Sequence, residues 1–135
     1  LPHCLDNNIG VLVYGPLAHG LLTGTLSVHT AFEDGDWRGA SKVFRGGTYR
    51  RNLATVRALE KFAANRGITV SQLAIAWTLA NPAVHVAIVG ARKVSHIEDS
   101  LRAVDISLTD SDIDEIETIM DEATPVAGPS PEGMP

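Results

Sequence analysis

The 135 residues are 44% hydrophobic and 20% charged with a formal net charge of −5, which is enough apolar material for one globular core and no more than one domain. The acidic balance, and the lack of aromatic residues interleaved with basic ones, exclude a general nucleic-acid binder, and no apolar run approaches the roughly 20 residues of a membrane span. Cys4 is the single cysteine, so there is no internal disulfide and no cysteine-based zinc site, and a reducing, cytoplasmic setting fits best.

The chain opens Leu1-Pro2-His3 without a methionine or a visible signal peptide, which fits a piece of a longer polypeptide. Leu1 to Asn8 reads as the end of a helix, stopped by Asn7, Asn8 and Gly10. Ile9 to Tyr14 is a continuous apolar run bounded by Gly15-Pro16, the profile of a parallel strand buried on both faces. A glycine-rich loop follows, Gly15 to Gly24, in which Gly15, Gly20 and Gly24 keep the backbone accessible. Thr25 to Thr48 has no clear periodicity; loops this long inside a compact domain are usually functional or mobile, and a short helix fits near Asp36 to Ala40.

From Tyr49, the residues Leu53, Val56, Leu59, Phe62 and Ala63 recur at helical spacing, and Asn65-Arg66-Gly67 supplies the stop. Thr69-x-x-Gln72 is a capping box ahead of an apolar helix, Ser71 to Leu79, that ends at Asn81-Pro82 and is predicted to be buried. Val86 to Val89 reads as a short buried strand. Behind it come Gly90, Ala91, Arg92 and Lys93, then a helix predicted to open with the box Ser95-x-x-Glu98 and to run to about Val104. Thr109 caps a last helix carrying Ile113, Ile116, Ile119 and Met120. From Pro125 the chain holds four of its seven prolines and no predicted element, so a tail is set apart at 123–135 from a folded unit at 1–122.

Charge is unevenly placed. Eight of the eleven cations lie between Arg38 and Arg66, and ten of the sixteen acids between Glu98 and Glu122. The two blocks could pair, face separate partners, or be solvated helix faces; the last is favoured.

Two parallel strands cannot make an independent sheet with two buried faces. The fold class is therefore read as α/β and incomplete as an isolated chain, and the pattern makes sense if the two strands belong to a (β/α)8 barrel. Loops after the last two barrel strands commonly bind phosphate beside a helix N-terminus, and the Gly15–Gly24 loop and the Gly90-Ala91-Arg92 turn fit that position. The plainer alternative for the second is an ordinary strand-to-helix turn.

Three segments, GVLVYGPLAHGLLTG, FAANRGITVSQLAIAWTLANPAV and IVGARKVSHIEDSLRAVDISLTDSDIDEI, resemble in order and spacing the C-terminal part of the aldo-keto reductases. The nearest likeness is to bacterial members related to potassium-channel β subunits. The resemblance spans Leu1 to Glu122. It implies a (β/α)8 barrel, metal-free reduction of aldehydes and ketones with NADPH, and Ile9 to Tyr14 and Val86 to Val89 as strands 7 and 8.

By the same resemblance Tyr14 stacks on the nicotinamide. Gly15, Pro16, Leu17 and Gly20 lie in the loop approaching the diphosphate. Gly90, Ala91 and Arg92 lie in the segment holding the adenosine 2′-phosphate, where an arginine can pair bidentately. His96 stands where many relatives carry Gln or Arg near that phosphate, Ser100 where they usually carry Asn facing adenine, and Gly15 replaces a common Ser.

No residue matches the family's catalytic Tyr, Asp, Lys or His, which lie on earlier strands, so no catalytic or metal-binding residue is assigned. His3, His29 and His85 are read as non-catalytic and His19 as shaping the cofactor loop. Glu33, Asp34 and Asp36 form no acid–base pair. Two functions compete: the NADPH-binding portion of a carbonyl reductase, inactive alone and needing its N-terminal barrel half or self-association, and a non-catalytic nucleotide- or protein-binding module derived from the family.

Overall fold

Two three-residue strands set the frame. In the computed structural model, which describes residues 1–126, β1 (Leu12–Tyr14) and β2 (Val86–Ile88) pair in parallel with Leu12 opposite Val86, Val13 opposite Ala87 and Tyr14 opposite Ile88. The parallel pairing is the one expected from the two apolar runs. At the amino ends of the strands, Val11 accepts the backbone N–H groups of His85 and Val86, and its own N–H donates to His85 Nδ1 at 3.2 Å.

Side-chain burial departs from the expectation. Alternation sends Leu12, Tyr14, Val86 and Ile88 to one face, where Leu12 is 62% and Tyr14 58% exposed; only Val13 and Ala87 turn toward the helices. A two-stranded sheet can be covered on one side by helices, and among the described residues no element covers the other. The runs also contribute fewer strand residues than predicted, since Ile9 to Val11 approach the sheet as irregular chain.

The helices follow their local signals closely. Helix α1 (Pro2–Asp6) ends with Asn8 left-handed at φ 54°, Asn8 N–H bonding Leu5 O and Ile9 N–H bonding Cys4 O. These two bonds make a Schellman close with asparagine, and not Gly10, at the turning point. The short helix α2 (Trp37–Ala40) sits where one was expected, and Asp36 caps it by accepting the Arg38 N–H at 3.0 Å. Helix α3 (Gly46–Ala64) starts one turn earlier than its apolar periodicity and ends as read, with Gly67 at φ 69° and Ile68 N–H returning to Ala63 O at 3.1 Å.

Both halves of the Thr69–Gln72 capping box form ahead of α4 (Val70–Leu79). None of the residues of α4 is exposed, as its all-round apolar character predicts. Helix α5 (Val94–Leu101) corrects a second expectation: its cap position is Lys93, without a side-chain cap bond, so Ser95 lies inside the first turn and the Ser95–Glu98 box does not form. Thr109 and Asp112 form the box at α6 (Asp110–Met120).

The core lies between helices and not around the strands. Leu59, Phe62 and Ala63 of α3 pack on Val70 and Leu73 of α4 and on Ile116 of α6. A second cluster joins Tyr49, Leu53 and Val56 to Leu21 and Phe44 from the loops. Among the described residues the two charge blocks are joined through Arg66, just past the end of α3, which pairs with Asp112 of α6 and lies 4.0 Å from Glu115 while its guanidinium sits 3.5 Å above the Phe62 ring. Arg50, Arg51, Arg57 and Lys61 are exposed, as solvated helix faces should be. Most of the 123–135 tail lies outside the described residues; within them, Val126 packs on the second cluster.

Candidate functional site

At the carboxyl ends of β1 and β2 the two loops face each other across a cleft of about 620 Å³. Tyr14, Gly15, Pro16, Leu17 and Gly20 line it from the first loop, and Gly90, Ala91, Arg92 and His96 from the second. These residues lie up to 82 positions apart in sequence (96 − 14), and the parallel register of Tyr14 with Ile88 brings them together. Ser100 stands one helical turn past His96 on α5, beyond the lining. Arg92 and His96 are neighbours, the Arg92 N–H lying 3.5 Å from His96 Nδ1.

The first loop has an unusual backbone. Leu17, at φ −97° and ψ 15°, is followed by three residues of positive φ: Ala18 (46°), His19 (56°) and Gly20 (94°). A right-handed residue followed by left-handed ones has the dihedrals of anion-binding concavities, although here the Ala18 and Gly20 N–H groups are engaged within the loop and, of the three, His19 N–H has no acceptor among the described residues. The loop is tied by Ala18 N–H to Gly15 O at 2.9 Å, Gly20 N–H to Leu17 O at 2.9 Å and Thr23 Oγ1 to Gly20 O at 2.7 Å.

The long loop supplies residues that sequence reasoning missed. Thr23, Thr25, Leu26 and Arg38 also line the cleft. Arg38 donates through Nε and Nη2 to the Asp36 carboxylate, at 3.0 and 2.6 Å, and through Nη1 to His19 O at 3.0 Å. That guanidinium holds the Asp36 carboxyl below its ordinary range, and Asp36 in turn raises Arg38 above the usual arginine value. The Trp37 ring stands edge-on to His19 at 4.8 Å, consistent with His19 shaping the loop. The available signal was Asp36-x-Arg38, a cap residue with an arginine two positions on.

A larger cavity of about 740 Å³ opens on the helix side of β1. Val13, Trp77 and Ile113 line it, and its charged groups are the carboxylates Asp110, Asp114 and Glu117, which repel an anion. Among the described residues no three His, Cys, Asp or Glu side chains gather as metal ligands, and no helix is long and apolar enough to cross a membrane.

Comparison with known proteins agrees with this frame. The model of the aldo/keto reductase family matches residues 1–121. The chain is 32% identical over 130 residues to the aldo-keto reductase yakc of Schizosaccharomyces pombe, whose name carries NADP(+), covering 96% of this chain and 38% of that protein. It is 34% identical over 126 residues to a probable voltage-gated potassium channel subunit beta of Arabidopsis thaliana, covering 89% of this chain and 38% of the relative. A glycerol dehydrogenase structure from Gluconobacter oxydans superposes with a TM-score of 0.86 at 32% identity, over 94% of this chain and 39% of the other. The chain thus spans a little over a third of the length of these relatives. It belongs to the aldo/keto reductase family.

Proposed function

We propose that this chain is the NADPH-holding portion of an aldo-keto reductase that reduces aldehydes or ketones to alcohols, with β1 and β2 as strands 7 and 8 of its barrel. The observation that carries the reading is the convergence of Tyr14, Gly15, Pro16, Leu17 and Gly20 with Gly90, Ala91, Arg92 and His96 in one cleft at the strand carboxyl ends. The lining suits the group: Arg92 supplies a guanidinium to a cleft whose first loop has the dihedrals of an anion-binding concavity, while the Arg38 guanidinium is taken up by Asp36 and His19 O. The yakc relative carries NADP(+) in its name.

In this reading the exposed Tyr14 ring offers a stacking surface to the nicotinamide, the Leu17–Gly20 backbone meets the diphosphate, and Arg92 with His96 holds the 2′-phosphate. Ser100 extends the same helix face toward the adenine. When bound, the reduced nicotinamide supplies the hydride that a carbonyl carbon accepts. The carbonyl oxygen also needs a proton donor within hydrogen-bond reach, and that donor belongs to the part of the family barrel that precedes these strands. The 135 residues alone are therefore inactive. They work with an N-terminal barrel half or in a self-associated form.

Exposed apolar surface supports the need for association. Val94, Ile97, Leu101 and Val104 form a stripe along α5 and its extension, each at least half exposed, in addition to the open sheet face. A relative named as a channel subunit fits a chain that functions within an assembly.

The test is titration of the 135-residue chain with NADPH and with NADH, followed by aldehyde turnover with and without the N-terminal portion of a relative. Binding that favours NADPH, with turnover only in the reconstituted mixture, is expected. No nucleotide binding in either preparation, or aldehyde reduction by the chain alone, would overturn the reading.

A further inference from the structure

We infer that Asp36, Trp37 and Arg38 form a positioning clasp that holds the Ala18-His19-Gly20 backbone in its left-handed form, and so presets the loop for the nucleotide's diphosphate. The inference rests on the nucleotide reading for its purpose, but the clasp itself is a matter of geometry. Three consecutive residues of positive φ include two, Ala18 and His19, whose side chains disfavour that region. Such a backbone persists where its surroundings over-determine it.

Beyond the loop's own hydrogen bonds, the contacts on His19 and Gly20 come from one short segment nineteen residues further along the chain. Arg38 Nη1 donates to His19 O at 3.0 Å, and a Cβ added at Gly20 would stand 3.3 Å from the same nitrogen, so the guanidinium lies against two of the three residues. The Trp37 ring meets the His19 ring edge-on at 4.8 Å. Arg38 is itself held. Asp36 clasps Nε and Nη2, which leaves Nη1 for the loop, and Asp36 is fixed by capping α2 through the Arg38 N–H. The guanidinium also lies 4.7 Å from the centre of the Phe32 ring.

A planar guanidinium can serve the carboxylate and the carbonyl together because its donors diverge in one rigid plane, whereas a lysine ammonium on a flexible stem lacks that fixed fork. Arg38 therefore acts through the loop, as a positioning residue, and its charge alone does not replace it.

The experiment uses the full 135-residue chain with Arg38→Lys, Arg38→Met and Asp36→Asn, the last keeping a good cap residue while weakening the clasp. Amide hydrogen exchange at Gly20 to Gly24, measured without nucleotide, should rise by about tenfold in both Arg38 variants and by less in Asp36→Asn, while the α3 amides stay protected. NADPH and NADH affinities should fall together by about tenfold in the Arg38 variants, leaving their ratio unchanged, whereas Arg92→Ala should change the ratio and leave loop exchange alone. Unchanged exchange in Arg38→Met overturns the inference. So does an Arg38→Lys protein with native exchange, which would show that charge suffices. If Arg38→Met does not fold, exchange in Asp36→Asn decides: loosening confined to Gly20–Gly24 supports the clasp and a native pattern overturns it. If the unsubstituted chain binds no nucleotide, the proposed function fails by itself, and the exchange readout still decides the clasp.

Discussion

The side-chain oxygen of Asn52 accepts the backbone N–H of Thr124 at 2.8 Å, joining the middle of α3 to the chain beyond α6. Asn52 is 2% exposed, and its Nδ2 finds no partner among the described residues. Asn52→Ala therefore loses one buried hydrogen bond and also removes an unpaired amide. The two effects oppose, and the net loss expected is about 1–2 kcal/mol. A urea midpoint lowered at unchanged m-value is the readout, and an unchanged midpoint would show that the Thr124 tie contributes nothing to stability.

Gly67 turns the chain out of α3 at φ 69°, and a Cβ built there meets no atom within 4 Å. Only the backbone objects to a side chain. Gly67→Ala should cost about 1 kcal/mol, measured by the same denaturation. A loss several times larger would mean that the Ile68 return to Ala63 O is disrupted as well.

Asp112 accepts the N–H and hydroxyl of Thr109 and pairs with Arg66, and the Thr109 N–H foremost, then Arg66, lower its pKa from 3.8 to about 2. The unfolded chain binds this proton more readily than the folded one, so stability rises with pH across the interval. The contribution is complete above the unfolded value near 4 and is lost as pH falls toward about 2. Urea midpoints measured between about pH 5 and pH 2.5 should decline less steeply in Asp112→Asn than in the unsubstituted chain. Parallel declines would assign acid sensitivity to other carboxylates.

Arg92 is the cation expected to discriminate between nucleotides. Arg92→Ala should weaken NADPH more than NADH, by about 1–3 kcal/mol for a lost charge-assisted hydrogen bond. Titration of both nucleotides settles it, and equal losses would show that Arg92 does not read the 2′-phosphate.

The stripe on α5 should drive association. Ile97→Lys with Leu101→Lys places two charges in it at positions already 50% and 61% exposed, so the folded chain loses little. Sedimentation velocity should show a shift toward smaller species. An unaltered distribution would exclude α5 from the contact.

What the sequence alone determined was whatever is encoded within a few neighbouring residues. The Thr69–Gln72 box, the Thr109 cap, the asparagine stop near Asn8 and the glycine at Gly67 are hydrogen-bonding motifs closed inside one turn, so their residue types suffice to place them. The two apolar runs were likewise enough to pair β1 with β2 in parallel, and the motif residues at their ends anticipated part of the cleft's lining, without Thr23, Thr25, Leu26 and Arg38. Ser95-x-x-Glu98 shows the limit even locally: the pattern is present, but the cap position falls two residues earlier, at Lys93, helical geometry begins at Val94, and the serine arrives too late to cap.

Tertiary structure decided the rest, because burial is a property of what lies opposite a residue. Leu12, Tyr14, Val86 and Ile88 are apolar enough for a covered strand, yet only one face of the pair meets helices, and the core forms instead where α3, α4 and α6 meet. The role of Arg38 was hidden for the same reason. Asp36-Trp37-Arg38 reads as an ordinary capped turn until folding places its guanidinium against the carbonyl of His19, a contact that no local pattern specifies.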